Sequence, residues 1–311
     1  MTAHDSATRS RAIPVPTPAA GLAWGLLGVL AFSFTVPFTR IAVGGLDPLF
    51  IGSGRAVVAA VLAATALILT RQRRPRGAQW GRLCLVVGGV VIGFPLLTSF
   101  ALTSTPASHG AVVIALLPAA TAVVAVLRAG ERPPRAFWAA TVAGALVAVG
   151  FASAHSGGLG RLHWADLLLF GAVLAAAVGY AEGGLLAREL GAWQTISWAL
   201  VLGAPVTGGL ALVSALREPP DGTPGEWVAF GYLAVVSMFL GFFAWYRGLG
   251  IGPMARVSQT QLVQPVLSIV WAGLLLGEHV STGTVVGGLA VIACAGFAVR
   301  VRQPAPAPLG R

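Results

Sequence analysis

The sequence predicts an all-α membrane protein: ten transmembrane helices arranged as two five-helix repeats of inverted topology. Three observations carry that reading. Of the 311 residues, 56% are apolar or aromatic and only 10% are charged, with a mean hydropathy of +0.83; an ordinary soluble domain carries roughly 25% charged residues. Ten apolar runs of about 20 residues, the length that crosses a bilayer as a helix, follow one another along the chain. Residues 102–148 also match residues 249–295 at a constant offset, with no gap.

The expected spans are 20–42, 48–70, 82–103, 107–128 and 135–154 in the first half, then 165–187, 192–214, 227–248, 254–276 and 281–300 in the second. Local breakers set the joints where hydropathy is weak: Asp47-Pro48, Thr105-Pro106, Pro133-Pro134 and Gly252-Pro253 are pairs that a continuous helix does not tolerate. The first run is too long for a signal-peptide core and is kept as a span. Residues 1–18 are polar and proline-bearing, and the tail from 302 reads as alternating Pro and Ala, so both termini are expected to be disordered. The repeats are placed at 19–154 and 165–301.

Orientation follows from arginine. With both termini in the cytoplasm, 16 of the 20 arginines fall inside, and Arg40, Arg55, Arg161 and Arg217 fall outside. The net charge of +10 is therefore topology plus attraction to anionic lipid headgroups. Nucleic-acid binding would need a soluble basic face, and none is expected.

Enzyme chemistry finds little footing. There is no lysine, which removes a phosphate-loop or Schiff-base lysine. Metal-ligand spacing is unconvincing: His163 and Asp166 are three apart, but read as part of a solvated loop. Cys84 and Cys294 lie in separate apolar runs and read as buried thiols rather than a disulfide. No catalytic residue, cofactor or metal site is expected.

In the repeat, Pro106, Pro118, Gly130 and Glu131 fall on Pro253, Pro265, Gly277 and Glu278, and His109 falls on Arg256. Five spans per half, an odd number, make the halves enter the membrane in opposite directions, an architecture common among secondary transporters. Two five-helix halves, each with a proline thirteen residues before a glutamate near the end of its fourth helix, resemble the drug/metabolite transporter superfamily, and its EamA-type members in particular. The copies here read LLPAATAVVAVLRAGE (116–131) and LVQPVLSIVWAGLLLGE (262–278), and Arg55 near the start of the second span is similar to that family too. The resemblance covers about residues 20–300. It implies a central cavity between the halves, open to one side at a time, for amphipathic metabolites, amino acids or drugs. Arg128 in the last turn of span 4, and Pro133-Pro134 after Glu131, depart from the pattern.

Individual residues then divide by chemistry. Pro118 and Pro265 sit mid-span, where each removes a backbone hydrogen bond, and read as paired hinges or as fixed kinks. Glu131 and Glu278 follow helix-ending glycines and read as caps on the next helix. Span 9 is unusually polar, with Arg256, Ser258, Gln259, Thr260, Gln261 and Gln264 in sequence; Gln261, Gln264, Ser268 and Trp271 share one arc of a helix. Facing lipid, the amides would be costly, so the stripe is expected to face substrate or to hold helices together. Glu182 is the carboxylate well inside a span, six residues before Arg188; it is the candidate coupling residue, with a salt bridge, Arg247 being on the same side, as the plainer reading. Arg55 lies too deep for a loop charge and reads as an anchor for an anionic substrate group or an outer gate, against pairing with Asp47 or snorkelling; Arg40 reads as snorkelling. Trp24 and Trp245 are candidate cavity aromatics, against interfacial anchoring. Gly88-Gly89 and Gly287-Gly288 are expected at close helix contacts.

The expectation is a secondary transporter of the cell (inner) membrane, exporting small amphipathic metabolites, amino acids or drugs by alternating access. Its partners are a small-molecule substrate and membrane lipids, with a homodimer left open. A lipid or lipid-carrier translocation accessory protein is the alternative.

Overall fold

The computed structural model of the chain describes residues 18–129, 134–155, 163–251, 257 and 260–302. The two termini, and Gly130, Glu131, Arg256, Ser258 and Gln259, lie outside the described residues. Within them the regular structure is helical throughout, with no strand. In chain order the helical runs are α1 (18–42), α2 (Pro48–Leu69), α3 (78–101), α4 (107–129) and α5 (Arg135–His155). The second half supplies α6 (Trp164–Leu190), α7 (Ala192–Arg217), α8 (224–251), α9 (260–276) and α10 (Thr282–Arg302). Seven of these runs, α1–α4 and α6–α8, are long and apolar enough to cross a membrane; 135–151, 260–276 and 282–298 form shorter apolar helices.

The joints form where the sequence places breakers. Asp47 accepts a hydrogen bond from Phe50 N (2.9 Å) at the start of α2, and Pro48 occupies the first turn, where a missing N–H costs nothing. Thr223 and Glu226 cap α8 reciprocally: Glu226 Oε2 accepts from Thr223 N (2.6 Å) and Thr223 Oγ1 from Glu226 N (3.4 Å). Asp166 lies in the first turn of α6, not in a solvated loop. It is buried, accepts from His163 N (3.0 Å) and places Oδ1 2.7 Å from His109 Nε2 of α4.

The packing pattern exchanges the two halves. α2 lies against α7 and α5 against α10; α1 lies against α8 as α6 lies against α3; α4 touches α6 as α9 touches α1. Two of these contacts bring main chains together. A Cβ on Gly89 of α3 would sit 2.4 Å from Ala175 O and 2.8 Å from Gly179 Cα on α6, and one on Gly28 of α1 would sit 2.9 Å from Trp245 N on α8. Small residues permit this approach, which supplies dispersion contacts that lipid cannot replace. The other expected glycines differ: Gly88 faces open space, Gly287 abuts the Phe151 ring and Gly288 makes ordinary contacts.

Several helices are interrupted. α1 divides at Phe34 into Pro18–Ser33 and Thr35–Ala42. α4 divides after Ile114 and resumes at Leu117, and α9 begins as a 3₁₀ turn, Thr260–Val263, before the α-helix at Gln264. Pro118 and Pro265 thus each stand second in a restarted helix, where proline is accommodated, rather than in the middle of an unbroken one. α3 and α8 contain π-helical stretches, Val87–Gly93 and Leu233–Leu240, which coincide to within one residue under the repeat offset. Hydropathy carries no signal for them.

Candidate functional site

The breaks in α1 and α9 and the π-helical stretches of α3 and α8 border one central chamber. Its walls come from α1, α2, α3, α6, α8 and α9, hence from both halves. The π-helical stretches contribute Val90 on one side and Ser237 with Met238 on the other. Such bulges frequently mark functional sites, because they re-aim side chains and loosen the backbone ladder. The free volume between these walls is about 20 Å³, room for roughly one water molecule. In this conformation the centre has no room for a larger solute.

The chamber combines unsatisfied polarity with aromatic walls. Arg55 projects from α2 and is only 1% exposed; its Nε has no hydrogen-bond partner, and no ion pair among the described residues includes it. Pairing with Asp47 and snorkelling both give way to this placement: Asp47 is engaged by Phe50 N and by Ser214 Oγ. Thr35 and Ser237 hydrogen-bond to each other (2.8 Å) beside it. Gln264 lines the chamber with its Oε1 unpartnered, and both amide atoms of buried Gln261 lack hydrogen bonds; the Tyr180 hydroxyl is near Gln261, outside good hydrogen-bond geometry. Phe32 meets Phe242 edge-on at 5.0 Å between ring centroids, and Tyr180 lies 5.9 Å from Phe242. Trp245 packs behind them, 5.7 Å from Tyr180, buried and with its indole N–H unpartnered.

The polar stripe of α9 divides into two roles. Gln261 and Gln264 hold the unpartnered amides. Ser268 Oγ donates to Ser33 O (2.7 Å), and Trp271 Nε1 donates to Ser33 Oγ (3.0 Å). Trp271 also stacks on Phe34 at 4.5 Å. Ser268 and Trp271 therefore tie α9 to the break in α1. Trp24 does not line the chamber: it is 36% exposed, and the Arg247 guanidinium lies 5.1 Å over its ring.

Each end of the chamber is bridged between the halves. At the arginine-rich end, Glu182 of α6 is buried and paired with Arg82 Nε of α3 (2.9 Å) and with Arg128 Nε of α4. Arg82 also pairs with Glu189, near the end of α6. The partners of Glu182 are thus two arginines of the first half, not Arg247. Arg128, the departure from the family pattern, has a direct role here. At the opposite end, Glu278 does not cap the helix that follows it. Gly277 adopts a left-handed conformation (φ 63°) that ends α9. The Glu278 carboxylate then reaches α4, accepting from Ala107 N (2.7 Å) and Ser108 N (2.9 Å). Those N–H groups are the orphan donors of a helix start, where negative charge is favoured. Arg40 does not snorkel but donates to Leu102 O (3.0 Å) and Thr103 O (3.2 Å) where α3 ends.

Phe32, Thr35, Ser237 and Phe242 line the chamber without belonging to any motif in the sequence. Thr35 and Ser237 carry a faint signal as hydroxyls within apolar runs; the phenylalanines carry none. Cys84 and Cys294 are free thiols, and Cys84 is exposed rather than buried. Among the described residues no group of three or more His, Cys, Asp or Glu side chains could hold a metal.

Known proteins resemble the chain along nearly its whole length. It is 43% identical over 284 residues to an uncharacterized transporter, YdeK, of Bacillus subtilis, covering 89% of this chain and 96% of that one. It is 28% identical over 276 residues to a probable terminal-alkyne amino-acid exporter of Streptantibioticus cattleyicolor, covering 87% and 90%. A solved crystal structure shares the fold with a TM-score of 0.64 at 18% identity, over 92% of this chain and 98% of that one. The family model described as EamA-like transporter matches twice, at residues 19–153 and 163–300. The chain belongs to the EamA-like transporter family.

Proposed function

We propose that the protein is a secondary transporter that exports small amphipathic metabolites, amino acids or drugs across the cell membrane by alternating access. The supporting observation is the chamber between the halves, where Arg55 Nε of α2 and Gln264 Oε1 of α9 stand buried without partners. Unpaired polar groups at this depth are costly and mark solute pathways. Ten spans in two inverted repeats, with the arginine-rich end in the cytoplasm, fit the exchange of packing roles between the halves. The exporter from Streptantibioticus cattleyicolor supports an amino-acid-sized solute. A lipid-handling accessory role is not favoured, because the relatives matched along the chain are named as a transporter and a probable amino-acid exporter.

In this reading, Glu182 with Arg82 and Arg128 closes the cytoplasmic end, and Glu278 on the α4 N-terminus closes the other. Glu182 serves as the coupling residue: protonating it forfeits both ion pairs, so proton uptake and opening of that end occur together. Pro118 and Pro265 mark the joints about which α4 and α9 bend.

The test compares small molecules outside bacterial cells expressing the chain with those outside cells carrying an empty vector. A compound enriched outside only in the presence of the protein supports export. An unchanged medium, with the protein verified in the membrane and a panel of external drugs also without effect, contradicts it.

A further inference from the structure

Arg55 sits seven residues into α2, about 10 Å along the helix at 1.5 Å per residue, and among the described residues is the only arginine or histidine that lines the chamber. A guanidinium offers five donors in a planar fork and stays charged at any physiological pH. Buried charges are ordinarily paired, yet among the described residues no carboxylate lines this chamber, and the Asp47 carboxylate that caps the same helix is engaged by Phe50 N and Ser214 Oγ. The carboxylates that bridge the halves, Glu182 and Glu278, are held by arginines at one end and by helix N–H groups at the other. Among the described residues no carboxylate supplies the counter-charge, and a bound solute can supply it.

The surroundings of Arg55 narrow the chemistry of that partner. The Thr35 and Ser237 hydroxyls lie in the same chamber and can turn from each other to donate to an oxyanion. A dianion such as phosphate would want a second cation, and the described residues of the lining offer none. Phe32, Phe94 and Phe242 add apolar aromatic surface to the same lining. We propose that the chamber, once opened to one side, is a binding site for amphipathic monocarboxylates: the carboxylate is held by the Arg55 fork, and the apolar or aromatic body lies against the phenylalanines. This rests on the reading of the chamber as the transport path and names the class of solute that path takes. Bidentate pairing of guanidinium with carboxylate is directional as well as strong, so Arg55 sets both the charge and the orientation of the solute.

The test uses the full-length protein in nanodiscs, with binding followed by tryptophan fluorescence and by isothermal calorimetry. Three probes share one body and differ in head group: 3-phenylpropionate, 3-phenylpropionamide and 3-phenylpropylamine. Inorganic phosphate is the fourth. The expected result is binding of the acid, at least tenfold weaker binding of the amide, and none of the amine or phosphate. Arg55→Gln should bring acid and amide to equal affinity, and Arg55→Lys should restore part of the preference. Equal affinity of acid and amide for the unmodified protein overturns the proposal without reference to any variant, as does tighter binding of phosphate or no binding of any probe. An acid preference that survives Arg55→Gln overturns it too. Should the acid bind through Arg55 while cells export nothing, the transport reading fails and the site stands. Should cells export an uncharged compound equally well with Arg55→Gln, the site assignment fails and transport stands.

Discussion

Glu278, the last carboxylate of the second repeat, caps a helix of the first: its Oε1 accepts from Ala107 N at 2.7 Å. The proline-to-glutamate spacing of the fourth helix of each repeat thus has a structural meaning beyond its own helix. In the second copy it carries a carboxylate past Gly277 to the start of α4, so the end of one repeat secures the beginning of a helix in the other.

Removing that cap should cost about what other N-cap losses cost, about 1 kcal/mol. Glu278→Ala is expected to lower the melting temperature of the purified protein, and Glu278→Gln to lower it less, since an amide oxygen still accepts. Equal melting of all three proteins would show that the bond contributes nothing to holding the repeats together.

Gly88 and Gly89 are neighbours with opposite surroundings, which makes them a matched pair. A side chain on Gly89 collides with the main chain of α6, whereas one on Gly88 meets nothing within 4 Å. Gly89→Val should sharply reduce folded protein recovered from membranes, and Gly88→Val should leave the yield near that of the unmodified chain. Size-exclusion profiles of the two variants would settle the comparison; similar losses for both would contradict the close contact of α3 with α6.

Glu182 between Arg82 and Arg128 predicts a split phenotype. Glu182→Gln should abolish transport driven by a pH gradient while leaving solute exchange partly intact, because exchange requires the chamber to change sides but not a proton to cross. Proteoliposome assays with and without a pH gradient separate the two. Full gradient-driven activity in the variant would remove the coupling role.

Pro118 and Pro265 occupy the first turns of restarted helices, where replacing proline costs little stability. Alanine at either position should keep the melting temperature within a few degrees. It should also let helix propagate through the break and slow initial transport rates several-fold. Unchanged rates in the double variant would make the prolines fixed packing features.

The sequence made the fold legible because its signals are strong and redundant: apolar runs of bilayer length, breakers at the joints, and a repeat offset that aligns Pro118 with Pro265. The site was half legible. Arg55, Gln261 and Gln264 stand out because charge and amide groups are rare in apolar runs, and each is buried with polar atoms left unpartnered. Ser268 and Trp271 share the same helical face, yet they bind Ser33; periodicity reports which residues share a face, not whether the face meets a solute or another helix. The reach of Glu278 to Ala107 was hidden for a related reason. A carboxylate after a helix-ending glycine suits any nearby helix start, and only the packing selects α4 over the next helix in the chain. The π-helical stretches left no trace in composition, because a one-residue widening of the backbone ladder does not change which residues are apolar.

Alternating exposure of the chamber is the central claim, and Ser237 reports on it most directly. With Cys84 and Cys294 replaced by alanine, Ser237→Cys in oriented membrane vesicles can be challenged with a membrane-impermeant thiol reagent from either face. Labelling from both faces, accelerated on the arginine-rich face when Arg128→Ala weakens the pair with Glu182, is the predicted result. Labelling from one face only, or from neither, in vesicles that retain folded protein would contradict a chamber that opens to each side in turn.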